Sequence, residues 1–156
     1  MNTKDDEKWF ERFMSMADLI CKWSKDPSSQ VAAVAINQKR QLLSMGYNGF
    51  PRRIKDDESR YAVREVKYKY VLHAEQNLIS NAVSNGISLD HSVVLVSGIP
   101  PCERCALELI QADISTVVVK GSDITKLQIE KRDTWIDGFR LACELFEEAK
   151  VKIVIL

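Results

Sequence analysis

The chain has 156 residues, 46% apolar and 28% charged, enough to bury a core and ordinary for a globular protein. Lys plus Arg and Asp plus Glu each number 22 and the pI is about 6.7, so the basic excess usual in nucleic-acid binders is missing. No run reaches the roughly 18 apolar residues of a membrane span, and the polar, acidic residues 1–7 are unlike a secretory signal.

Trp9, Phe10, Phe13, Met14, Ala17, Ile20 and Cys21 recur at helical spacing and mark a first amphipathic helix. Residues 31–36 form a continuous apolar run and 42–47 a second. The polar stretch 37–40 between them predicts a hairpin. Residues 52–69 hold seven basic and four acidic side chains. Two readings stay open there: a solvated helical face with Glu65 and Lys69 paired at i,i+4, or phosphate contacts through Arg52, Arg53, Lys55 and Arg60. Lys25 is a further phosphate candidate. Residues 70–72 read as extended, 74–83 as a helix and 93–96 as a strand. A helix through 106–110, a strand at 116–119, an apolar-striped helix over 135–149 and a strand at 151–156 complete the chain. Five strands and about four helices in this order predict one domain over 1–156, α/β in class, with a mixed sheet sandwiched between helices.

Two short segments carry chemistry. His73-Ala74-Glu75 opens the helix over 74–83, and Pro101-Cys102-Glu103-Arg104-Cys105 opens the helix that follows the strand at 93–96. His73, Cys102 and Cys105 supply three zinc ligands, the usual number in a catalytic site that keeps one position for water. Thiolates are favoured at helix starts by unpaired N–H groups and the positive end of the dipole. A structural site would want a fourth ligand, and the only other histidine, His91, sits in a polar turn. Glu75 is left to move protons between a metal-activated water and a substrate. Cys21 and Cys143 sit among apolar helical positions and read as small buried hydrophobes, which fits a reducing cytoplasm.

The pair of segments resembles the H-x-E…P-C-x-x-C signature of zinc-dependent nucleobase deaminases. The resemblance extends to Ser24-Lys25-Asp26-Pro27, Gln30-Val31, Gly46-Tyr47-Asn48-Gly49-Phe50-Pro51, Asp56-Asp57, Tyr70 through Asn77 and Ile110-Gln111-Ala112. In that order, over roughly residues 9–120, these blocks are similar to the deoxycytidylate (dCMP) deaminase family of the cytidine deaminase-like superfamily. The resemblance implies a three-layer α/β/α fold and hydrolytic deamination of dCMP to dUMP and ammonia, supplying dUMP for thymidylate synthesis. It implies zinc on His73, Cys102 and Cys105, Glu75 as the proton shuttle, and Asn48 in contact with the substrate's sugar or base. It also implies a homo-oligomer, a hexamer or a dimer. Regulation in such members is by dCTP as activator and dTTP as inhibitor. The regulatory nucleotide, with Mg2+ as its companion, would lie near Gly46, Tyr47, Gly49 and Phe50.

The chain departs from the family pattern in places. Ala32 stands where a glycine is usual, and Arg53-Ile54 replaces a Gly-Cys pair, which removes a ligand for any second zinc. Pro100 replaces a bulky residue, and 121–132 match no family pattern. Rival readings are a deaminase of modified dCMP, of dCTP or of a base in a polynucleotide, and a non-catalytic nucleotide-binding module on the same fold. The balanced charge speaks against a polynucleotide, and the intact Glu75 against a retired site.

Overall fold

The computed structural model describes residues 4–156. In chain order the elements are α1 (Lys4–Cys21), β1 (Ala32–Ile36), β2 (Leu42–Tyr47), α2 (Glu58–Ala62), α3 (Arg64–Tyr70) and α4 (Ala74–Ser84). They continue as β3 (Val93–Ser97), α5 (Glu103–Gln111), β4 (Thr116–Val119), α6 (Gly121–Ile129), α7 (Asp133–Glu148) and β5 (Lys152–Ile155).

The strands form one mixed sheet in the order β2-β1-β3-β4-β5. β1 runs antiparallel to both β2 and β3, whereas β3, β4 and β5 are parallel. β1, β3 and β4 are buried at every position, which is why they read as uninterrupted apolar runs with no polar alternation. One face presents Ala33, Ala35, Val94, Val96, Val117 and Val119 to side chains of α4, α5 and α7. The other presents Ala32, Val34, Ile36, Val93, Leu95 and Val118 to Phe10, Phe13, Met14, Ala17 and Ile20 of α1. The expected mixed five-stranded sheet with helices on both faces is therefore the observed architecture.

The helix count differs from the expectation of about four: seven helices are present among the described residues. α2 buries none of its residues and so prints no apolar stripe into the sequence, while α6 buries only Leu127 and leaves Ile129 exposed. The Glu65–Lys69 ion pair does not form among the described residues. Cys21 is buried and its thiol donates to the Ser97 carbonyl at 3.3 Å, so it packs as a small hydrophobe; Cys143 is half-buried, and both are free thiols.

Two features aim the fold at one point. β3 is where the sheet changes from antiparallel to parallel pairing, and its carboxyl end leads through Pro100 and Pro101 into α5. Ligands of open α/β sheets collect at such ends. Meanwhile α4 packs against β2 through Gly46: a Cβ there would stand 2.3 Å from the Leu78 amide nitrogen and 2.5 Å from the Ala74 carbonyl oxygen. The absent side chain lets β2 meet the α4 backbone. Gly49, two residues after β2 ends, would meet nothing within 4 Å.

Gly46→Ala should therefore cost about 1–3 kcal/mol or more, as overpacking against backbone does. Gly49→Ala should stay within about 0.5 kcal/mol of the parent. Urea denaturation of both variants checks this, and equal losses would show that Gly46 does not set the α4 packing.

Candidate functional site

His73 is the N-cap of α4 and Cys102 the N-cap of α5, so both lie where backbone N–H groups are left over at helix starts. The Gln76 carboxamide oxygen accepts from the His73 amide at 2.9 Å and fixes the entry into α4. One helical turn carries Cys105 back beside Cys102. His73 Nδ1 lies 3.6 Å from Cys102 Sγ and 3.3 Å from Cys105 Sγ, and the ligating atoms of all three residues fall within 4.8 Å of one another. A tetrahedral zinc with bonds of about 2.3 Å to sulfur and 2.0 Å to nitrogen separates N from S by about 3.5 Å. The three residues fit such an ion.

Their protonation supports the same reading. The Cys102 thiol is drawn down to about 4 because the Cys105 thiol and the His73 ring hydrogen-bond its sulfur. The Cys105 thiol is pushed strongly up by that neighbouring sulfur and by burial. Ionisation of one sulfur thus opposes that of the other, and a bound dication would favour both thiolates. Glu75, on the first turn of α4, is 3% exposed, and burial pushes its carboxyl up to about 6. It stands outside the three-ligand cluster but lines the same cavity as His73 and Cys102.

That cavity holds about 40 Å³ of free space, room for water beside the ligand atoms. Asn48 also lines this cavity, with its side chain anchored to backbone. Its Oδ1 accepts from the Val31 amide at 2.9 Å, and its Nδ2 donates to the Ser29 carbonyl at 2.8 Å. Asp26 holds the same wall: its carboxylate accepts from the amides of Ser28 and Ser29 and meets Lys67 Nζ at 3.1 Å. The side chains of Asp26 and Lys67 are only 3% and 8% exposed, so this is a buried ion pair. Trp135 of α7 closes the remaining side, its ring centroid 6.0 Å from that of His73.

Sequence reading missed Asp26, Lys67 and Trp135 as site residues. Trp135 begins an apolar helical stripe and looks like core, and Lys67 sits in a segment dense with exposed charge. The residues expected near a regulatory nucleotide lie elsewhere: Gly46, Tyr47, Gly49 and Phe50 line a separate cleft of about 420 Å³ with Arg52 and Asn77. Lys25 is tied to Asp56 at 2.6 Å, Arg52 to Asn81 at 2.6 Å, and Arg60 lies over the Tyr70 ring.

Residues 7–120 match the model of the cytidine and deoxycytidylate deaminase zinc-binding region. The chain belongs to the cytidine and deoxycytidylate deaminase family. A protein described as an uncharacterized deaminase in the luxG 3′ region of Aliivibrio fischeri is 35% identical over 96% of this chain and 94% of its own length. The human deoxycytidylate deaminase is 36% identical over 71% of this chain, which spans 64% of that relative's length. Among solved structures, the dCMP deaminase of cyanophage S-TIM5 in complex with dCMP and dUMP shares the fold, with a TM-score of 0.72 at 21% identity. The match covers 99% of this chain and 100% of that one. Zinc binding is thus a property of the family as well as of the donor set. No helix among the described residues is long and apolar enough to cross a membrane.

Lys67→Ala would leave Asp26 buried without its cation and should destabilise the protein by about 3–5 kcal/mol. Adding Asp26→Asn to that variant should recover part of the loss. Chemical denaturation of the two variants decides it, and a second substitution that adds its own full cost would exclude coupling through the pair.

Proposed function

We propose that this protein is a single deaminase domain that hydrolyses dCMP to dUMP and ammonia with one zinc ion, feeding thymidylate synthesis from the cytoplasm. The observation that carries the reading is the meeting of His73, Cys102 and Cys105 around one point, with buried Glu75 lining the same pocket. His73, Cys102 and Cys105 would hold the zinc. When bound, zinc supplies the Lewis acidity that brings the pKa of water towards neutrality.

The chain's own groups do the rest. Glu75 takes the proton of the attacking water as its oxygen bonds to C4 of cytosine, and passes that proton to N3. Glu75 then delivers the second water proton to the C4 amino group. The C4–N bond breaks, ammonia leaves and the uracil carbonyl remains. Burial of Glu75 suits a group that must exist both with and without a proton. Asn48, locked by Val31 and Ser29, presents a fixed edge to the sugar or base, and Trp135 walls the pocket.

The substrate reading draws on the deoxycytidylate deaminases that this chain resembles at 36–38% identity. Control by dCTP with Mg2+ and by dTTP, and assembly into a homo-oligomer, complete the proposal. A cleft bordered by Tyr47, Phe50 and Arg52 supports a second nucleotide site, offering aromatic faces and a cation. The direction a Cβ would take from Gly46 is filled by the α4 backbone, so the glycine is needed for packing while its backbone borders the cleft.

The test is ammonia release from dCMP by zinc-loaded protein, with metal content measured in parallel. Glu75→Ala should keep its zinc and lose turnover by about 10²–10⁴-fold, whereas Cys102→Ala should lose both. Retained turnover in Glu75→Ala, or full zinc in Cys102→Ala, would refute the assignment. In the parent protein, dCTP plus Mg2+ should raise the rate and dTTP lower it; indifference to both would remove the regulatory part alone.

A further inference from the structure

We infer that residues 131–135, which lie beyond the family-matched segment 7–120, select a nucleotide over a nucleoside: Arg132 receives the 5′-phosphate while Trp135 backs the base and sugar. The inference rests on the nucleotide-deaminase reading above and adds the residues that recognise the phosphate.

The inner cavity shares Ser29, Lys67, Tyr68 and Trp135 with a wider outer cleft of about 480 Å³. Four cations line that cleft, Arg64, Lys67, Lys131 and Arg132, against one carboxylate, Asp133. Lys67 is spent on Asp26. Arg64 and Lys131 have no carboxylate within 4 Å among the described residues, and the acid nearest Arg132, Glu130, stands at 3.9 Å. The outer cleft is therefore short of negative charge, and it adjoins the pocket holding Glu75 through the four residues that line both.

Arg132 is already positioned to use this. Its Nη2 donates to Ser29 Oγ at 3.1 Å, and its guanidinium lies 5.5 Å from the centre of the Trp135 ring. One of five N–H donors is spoken for, and the others form the rigid fork that suits a phosphate. Ser29 is itself held by Asp26, so the rim is anchored on the buried Asp26–Lys67 pair. A pyrimidine seated beside Glu75 would have Asn48 and Trp135 around it, and the adjoining basic cleft is where its 5′-phosphate would be received. The basic side chains anticipated for phosphate do not line the outer cleft: Lys25 is paired with Asp56, Arg52 with Asn81, and Arg60 lies over Tyr70.

The experiment compares dUMP and deoxyuridine binding to the zinc-loaded parent, Arg132→Ala, Arg132→Lys and Lys126→Ala by isothermal titration, with dCMP turnover measured alongside. Charge-assisted hydrogen bonds to phosphate should make dUMP bind about 10- to 100-fold more weakly to Arg132→Ala. Deoxyuridine should bind that variant as it binds the parent, Arg132→Lys should fall between, and Lys126→Ala should match the parent. A loss of less than threefold for dUMP, or equal losses for both ligands, would overturn the inference. A parent that binds neither ligand would overturn it too. Arg132-dependent dUMP binding without any dCMP turnover would keep this inference and refute the deaminase reading; turnover with Arg132-independent binding would do the reverse.

Discussion

The proposed chemistry depends on His73, Cys102 and Cys105 being held at one point, an arrangement that crowds two sulfurs whose ionisations oppose each other. Hydrogen bonds from Cys105 and the His73 ring favour ionisation of Cys102, and the neighbouring sulfur together with burial opposes ionisation of Cys105. A cation removes the conflict. Metal affinity, deprotonation and local order are then linked, since ligands must lose protons to bind and the site exists only in the folded chain.

The rest of the fold supplies the rigidity that this arrangement needs. β1, β3 and β4, buried throughout, fix the strand end from which α5 departs, and Gly46 lets α4 lie close to β2. On the other side α7 passes close to the start of α5: a Cβ on Gly138 would stand 3.7 Å from Cys102 Cβ, an ordinary packing distance. The ligand cluster thus sits where two helix starts meet, with α7 alongside. The pocket wall opposite is polar and is held by the buried Asp26–Lys67 pair, which orders Ser28 and Ser29 and faces Asn48. A buried ion pair is weak evidence for stability; its use here is to fix a loop that hydrophobic packing could not.

Much of this was legible in the sequence because it is local. Strand runs with no polar interruption and helical spacing in α1 and α7 come from burial of whole faces. The ligand triplet and Glu75 come from two segments of three and five residues. The parts that stayed hidden are made by distance along the chain. Arg132 reaches Ser29 across 103 residues and Lys67 reaches Asp26 across 41, so neither pairing leaves a local pattern. Trp135 carries the same apolar signal whether it faces the core or a pocket, and α6, with Leu127 as its single buried residue, is nearly silent. The packing role of Gly46 against α4 leaves no mark either, because sequence does not show which backbone will come close.

The measurement that bears most directly on the central claim is X-ray absorption at the zinc edge of protein purified with its metal, together with zinc stoichiometry. A site built from His73, Cys102 and Cys105 should hold one zinc per chain. Its spectrum should show two sulfur neighbours at about 2.3 Å and two lighter ones at about 2.0–2.1 Å, one of them not from protein. Three or four sulfur neighbours, or a chain that binds no zinc, would contradict an open catalytic site at the meeting of α4 and α5.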